Sequence, residues 1–122
     1  MDKKEKEQVL KQLREVFPYG HERYLPILFE MMELHNEKNH DYASGGSALG
    51  NFDRVAAILS LYPNLKLSDP FVVTFTYMMK QIDAVLWMKN NGHSAKVEGI
   101  GRRMDDIIVY STIAKIIEEE KK

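Results

Sequence analysis

Asp69-Pro70-Phe71-Val72-Val73-Thr74-Phe75, running on through Tyr77-Met78-Met79-Lys80-Gln81-Ile82-Asp83-Ala84-Val85-Leu86-Trp87 to Asn91-Gly92, decides the fold of this 122-residue chain. It opens with an aspartate placed to cap a helix and a proline at the first helical position, where the missing N–H is no loss. It closes with Asn-Gly, residues that accept the left-handed geometry of a helix end. Between them Phe71, Phe75, Met78, Ile82, Val85 and Leu86 recur at helical spacing. Val72-Val73-Thr74 has strand propensity, but its flanks read as helix.

Working outward, a last long helix carries Val97, Ile100, Met104, Ile107, Ile108, Ile113, Ile116 and Ile117, with Ser94 as its candidate cap. Gly99 and Gly101 are poor interior helix residues; they mark a close helix crossing or a start near Arg102. Upstream, Val9, Leu10, Leu13, Val16 and Phe17 give a first amphipathic helix that stops at Pro18-Tyr19-Gly20. A second runs from about Glu22 to Asn39 or Asp41, with Pro26 in or near its first turn. After Ser44-Gly45-Gly46-Ser47, a flexible turn with the potential to act as a lid, Leu49, Phe52, Val55, Ala56 and Leu59 mark a third helix ending at Tyr62-Pro63-Asn64. The expectation is a single all-α domain of about five helices over 1–122, with 1–20 as N-terminal helix and turn and 21–118 as the core of an antiparallel bundle.

Composition narrows the function. The formal net charge is −1, with 17 basic against 18 acidic residues, so no basic field speaks for a nucleic-acid binder. The absence of cysteine removes disulfides, thiolate metal sites and a thiol nucleophile. The charged N-terminus and the lack of an apolar run long enough to span a bilayer point to a cytoplasmic protein without a membrane role.

Two groups of residues carry candidate chemistry. Glu30, Glu33, Glu37 and Asp41 lie at offsets of 3, 4 and 4 on one face of the second helix, a stripe of like charges that suggests a cation or another positive partner, or else a solvated face. Lys80 with Asp83, and Arg103 with Asp106, repeat a base three residues before an acid on the two long helices. Gly99, Arg103, Asp106 and Tyr110 share one face. The four histidines suggest local roles, and His35 and His40, five apart, do not form the spacing of a zinc protease.

The paired charged positions, followed by Asp106-Ile107-Ile108-Val109-Tyr110, resemble the all-α nucleoside triphosphate pyrophosphatases of the MazG and dUTPase type. In that family a Glu-x-x-Glu on one helix and a Glu-x-x-Asp on the next bind magnesium. Asp83 matches the second acid of the first motif and Asp106 the aspartate of the second, while Lys80 and Arg103 stand where the family has glutamates. The order Lys38, Asp41, Tyr42, Asn51, Phe52, Arg54, Lys80, Asp106 further resembles a branch of phage and prophage proteins linked to nucleotide modification, with Ala43 in place of a glycine. The likeness covers about residues 30 to 115.

The resemblance implies binding of nucleoside or deoxynucleoside triphosphates, with magnesium-dependent pyrophosphohydrolysis as the family's chemistry. On that reading Glu33, Glu37, Asp41, Asp83 and Asp106 hold Mg2+, and Glu37 or Asp41 activates a water. Lys38, Arg54, Lys80 and Arg103 bind phosphate, and Tyr42 and Asn51 touch the nucleotide. Two alternatives stay open. Lys80 pairs with Asp106 and Arg103 with Asp83, in ion pairs that only fix helix register, or the chain is a non-catalytic helical assembly or adaptor that kept the fold and lost the metal site. The apolar richness of the long helices adds the expectation of a homo-oligomer, dimer or tetramer.

Overall fold

The computed structural model describes residues 1–43 and 46–121. Among these the chain forms five helices and no strand: α1 Lys3–Val16, α2 Tyr24–Ala43, α3 Gly50–Ser60, α4 Pro70–Asn91 and α5 Ile100–Glu120. The all-α class and the helix number expected from periodicity are what is found. Ser44 and Gly45, half of the expected flexible turn, lie outside the described residues.

The chain divides into two compact units, Met1–Asn36 and Glu37–Lys122. The division falls inside α2 rather than at the Pro18-Tyr19-Gly20 stop that closes the expected N-terminal segment. In the first unit Asp2 caps α1 by accepting the Glu5 N–H at 2.8 Å, and Lys6 of α1 pairs with Glu33 of α2 at 2.7 Å.

The second unit is built on α4. Asp69 accepts the Phe71 N–H at 2.9 Å, Pro70 occupies the first turn, and Gly92 ends the helix at φ 62°, as the sequence dictates. The Phe71 N–H, offset in part by desolvation and reinforced by Lys121, holds the Asp69 carboxyl below its usual range. Antiparallel pairing with α5 follows from the contacts along its length: Asp69 meets Lys121, Tyr77 meets Tyr110 edge-on at 5.7 Å, and Gln81 meets Asp106. Met78, Gln81, Ala84 and Met88 of α4 and Arg103 and Ala114 of α5 are all buried, and Gln81 meets Arg103 at 2.7 Å. α3 packs on α4 as well. Leu59, Tyr62 and Leu65 at and beyond its end meet Phe71, Val72, Phe75 and Met79 around an apolar groove of about 260 Å³.

At one boundary the structure takes the later of two expected helix starts, the one marked by Gly99 and Gly101. α5 begins at Ile100, with Gly99 as its N-cap residue at φ −69°, ψ 166° and no capping side chain; Ser94 does not cap it. The segment before it is irregular, and its N–H groups at 96–98 are bound by a side chain from α2, described below.

Gly92 offers a direct check on α4. Alanine there must adopt the left-handed region, so Gly92→Ala is expected to lower stability by about 1 kcal/mol in urea unfolding, and Gly92→Asn by less.

Candidate functional site

Asp41, Tyr42, Asn51, Arg54, Asp83, Arg103 and Asp106, among the residues singled out by sequence, converge in the second unit, where the end of α2, the start of α3, the middle of α4 and the start of α5 meet in a polar network. Its centre is Asp41, with no solvent exposure. A buried carboxylate needs partners for its lone pairs. Asp41 has the N–H groups of Lys96, Val97 and Glu98 at 2.5 to 3.2 Å, His40 Nδ1 at 3.3 Å and Arg103 Nη2 at 3.5 Å. Burial pushes its pKa up, but the three backbone N–H bonds and His40 outweigh this and hold the carboxyl below its ordinary value of 3.8. Its own carbonyl oxygen accepts from His93 Nε2 at 3.3 Å, so the link between α4 and α5 is fastened to this one residue twice.

Arg103 is equally buried, at 1% exposure. Its guanidinium donates to Gln81 Oε1 at 2.7 Å, to the Tyr42 hydroxyl at 2.8 Å and to the Glu98 carbonyl at 3.2 Å, and lies 4.6 Å over the Tyr42 ring. Gln81 passes the connection on, donating through Nε2 to Asp106 at 3.1 Å. Each nitrogen of the guanidinium therefore has a protein partner, and its burial keeps Arg103 from a phosphate in solvent.

The second carboxylate is Asp83, also buried. Arg54 grips it in bidentate fashion, Nε to Oδ1 at 2.6 Å and Nη2 to Oδ2 at 2.8 Å, and Asn51 Nδ2 adds a bond at 2.8 Å. The bond to Asp83 raises the Arg54 pKa further, against a smaller desolvation effect. Arg54 Nη2 also reaches the Tyr42 carbonyl at 3.4 Å, and its guanidinium stacks 3.9 Å from the Trp87 ring centroid. Two glycines make room for this. A Cβ at Gly46 would meet the Trp87 indole at 2.6 Å, and one at Gly50 would meet Arg54 Nη1 at 2.8 Å.

The placement of the remaining candidates is uneven. Lys80 is exposed, with Nζ 5.6 Å over the Tyr42 ring, and Lys38 and Glu37 are exposed on the last turns of α2. Glu33 belongs to the first unit and is paired with Lys6. The positive partners that the acidic stripe asks for are thus the protein's own: Lys6 for Glu33, and Arg103 with three amides for Asp41. The register pairs suggested by the two long helices alone are not the ones formed. Arg103 pairs with Asp41 and not Asp83, whose partner is Arg54, and Asp106 takes its hydrogen bond from Gln81 and not from Lys80. Gln81, His93 and the 96–98 amides are the functional groups that motif reading missed.

Magnesium takes about six oxygen ligands in near-octahedral array. Among the described residues no three acidic or histidine side chains gather around one point. Asp41 and Asp83 already spend their oxygens on amides and arginines, so in this arrangement the donor set does not fit Mg2+. No protein-family model matches the chain, and no curated protein or solved structure does either.

Two outcomes test this geometry. Arg103→Ala leaves Asp41 buried without its arginine and is expected to cost about 3–5 kcal/mol in urea unfolding. Asp41, with a folded pKa below 3.8, contributes stability that is present above that value and lost as pH falls through the folded pKa. The stability gap between the protein and Asp41→Asn should therefore be widest near neutrality and close in acid, which urea unfolding over a pH series reads directly.

Proposed function

We propose that the protein binds a phosphorylated nucleotide, a nucleoside or deoxynucleoside triphosphate or a close relative, at the solvent edge of this network, and does so without metal-dependent hydrolysis. The observation that carries the reading is the contrast between interior and rim. Inside, each buried carboxylate has its own arginine, Asp41 with Arg103 and Asp83 with Arg54, so the charges cancel. At the rim two exposed bases flank one aromatic ring: Lys80 lies over Tyr42, and Lys38 stands one turn before Tyr42 on the same helix. Exposed ammonium groups with flexible stems suit phosphate oxygens, and the Tyr42 and Trp87 rings suit a base.

Binding without turnover is favoured because Asp41, Asp83 and Asp106, three of the five carboxylates that the resemblance assigns to a metal, are engaged here by amides and guanidinium groups. The family's pyrophosphohydrolysis is the competing reading, and it requires those bonds to open.

Trp87 is the single tryptophan of the chain and stacks on Arg54, so its fluorescence reports on the site. Titration with each deoxynucleoside triphosphate, with and without magnesium, is expected to change that fluorescence and raise the melting temperature. Lys80→Ala should weaken the response roughly tenfold, the loss of one charge-assisted contact, while leaving the fold intact. Absence of any response to every triphosphate contradicts binding. Release of pyrophosphate and nucleoside monophosphate contradicts the non-hydrolytic reading.

A further inference from the structure

We propose that His40 and His93 form an open site for one late transition-metal ion of the zinc, nickel or copper kind, between the end of α2 and the link from α4 to α5. Their rings meet at a centroid distance of 5.3 Å and an interplanar angle of 74°. Asp41 sets the tautomer of both. Its carboxylate Oδ1, 3.3 Å from His40 Nδ1, and its carbonyl oxygen, 3.3 Å from His93 Nε2, can only accept, so in the neutral rings those two nitrogens carry the protons. The lone pairs then stand on His40 Nε2 and His93 Nδ1. His93 Nδ1 is buried, and among the described residues it is the one buried side-chain nitrogen or oxygen without a hydrogen-bond partner. Such an atom is costly to leave bare. A cation supplies what a donor would.

Metal chemistry accounts for more of this arrangement than an edge-on ring contact does. A ligating histidine donates its second nitrogen to a carboxylate or a carbonyl, which orients the ring and raises its basicity. Here one residue holds both rings in that way. A tetrahedral ion at about 2.0–2.1 Å from one nitrogen of each imidazole sets the ring centres roughly 5 Å apart, close to the spacing found. The His40 side chain is 29% exposed, so an ion can enter from that side and water can complete its coordination. Two imidazoles suit Zn2+, Ni2+ and Cu2+, whereas Mg2+ takes oxygen ligands. No third acidic or histidine side chain joins them among the described residues, which makes the site an exchangeable one rather than a closed structural centre. An ion held there adds a fastening between α2 and the α4–α5 link beside the one that Asp41 makes, so metal binding and stability of the second unit are linked.

Zn2+, Ni2+ and Mg2+, each alone, titrated into the full chain in a non-chelating buffer test the site by calorimetry and thermal unfolding. One Zn2+ or Ni2+ per chain is expected to bind and to raise the melting temperature, and Mg2+ to do neither. Loss of a group behind a ligating histidine weakens metal binding roughly 10–100-fold, so His40→Gln and His93→Gln, which remove the ligand itself, are each expected to weaken it at least about tenfold with unchanged helical circular dichroism. His21→Gln, in the first unit, should bind as the unsubstituted chain does. Imidazole nitrogen NMR of the unsubstituted protein gives a readout that needs no substitution: Zn2+ is expected to shift His40 Nε2 and His93 Nδ1 more than the nitrogens that face Asp41. Absence of Zn2+ binding overturns the proposal. So does binding that either substitution leaves intact, or a Zn2+ shift confined to one of the two histidines.

Discussion

The second unit depends on the burial of one carboxylate. With no solvent exposure, Asp41 must find every hydrogen bond inside the protein, and besides its neighbour His40 it takes them from two groups distant in sequence from α2: the backbone of residues 96–98 and the guanidinium of Arg103. Each bond fixes something else. The backbone bonds hold 96–98 in the irregular segment that leads into α5 at Ile100. The arginine, once neutralised, is free to orient Tyr42 and Gln81, and Gln81 orients Asp106. The end of α2, the α4–α5 link and the start of α5 are therefore tied to one anion.

The Asp83–Arg54 pair repeats the device on the other side of Tyr42, with the Tyr42 carbonyl accepting from Arg54 as its hydroxyl accepts from Arg103. Paired in this way, the interior charges fix the geometry with little net field. Buried ion pairs of this kind are better at specifying one arrangement than at adding stability, because desolvation offsets much of the attraction. What they arrange here is Tyr42, its ring against Arg103 and Lys80 and its carbonyl on Arg54, with Trp87 held against Arg54. Among the described residues of this site the bases outside the ion pairs are Lys38 and Lys80 rather than the two arginines, and the proposed anion binding rests on them.

How much of this was legible in the sequence follows from how far each cause acts along the chain. Both ends of α4 were readable because Asp69, Pro70 and Gly92 act within one turn of themselves. The shared face of Arg103, Asp106 and Tyr110 was readable for the same reason, and all three do meet α4. The start of α5 was readable only as a choice between a Ser94 cap and the later start marked by Gly99 and Gly101. Nothing local to it announced that the intervening N–H groups are bound by Asp41, more than fifty residues upstream. Nor were the ion-pair partners readable: helical spacing places a charge on a face without saying which element will cover it, and Asp83 is claimed by α3, which the two long helices considered alone leave out. A usable hint was present in the glycines. Gly46 and Gly50 lack side chains where Trp87 and Arg54 need the space, so a glycine pair beside an Asn-Phe-Asp-Arg helix start was a sign of close packing as well as of a turn.

Amide hydrogen exchange at Lys96, Val97 and Glu98 tests the role of Asp41 most directly. These amides sit in an irregular segment, outside any helix. If the buried carboxylate holds them, they exchange as slowly as the amides in the middle of α4 and lose that protection in Asp41→Asn, while α4 keeps its own. Exchange in the unsubstituted protein as fast as that of an open turn would contradict the account, and so would protection that survives the removal of the Asp41 charge.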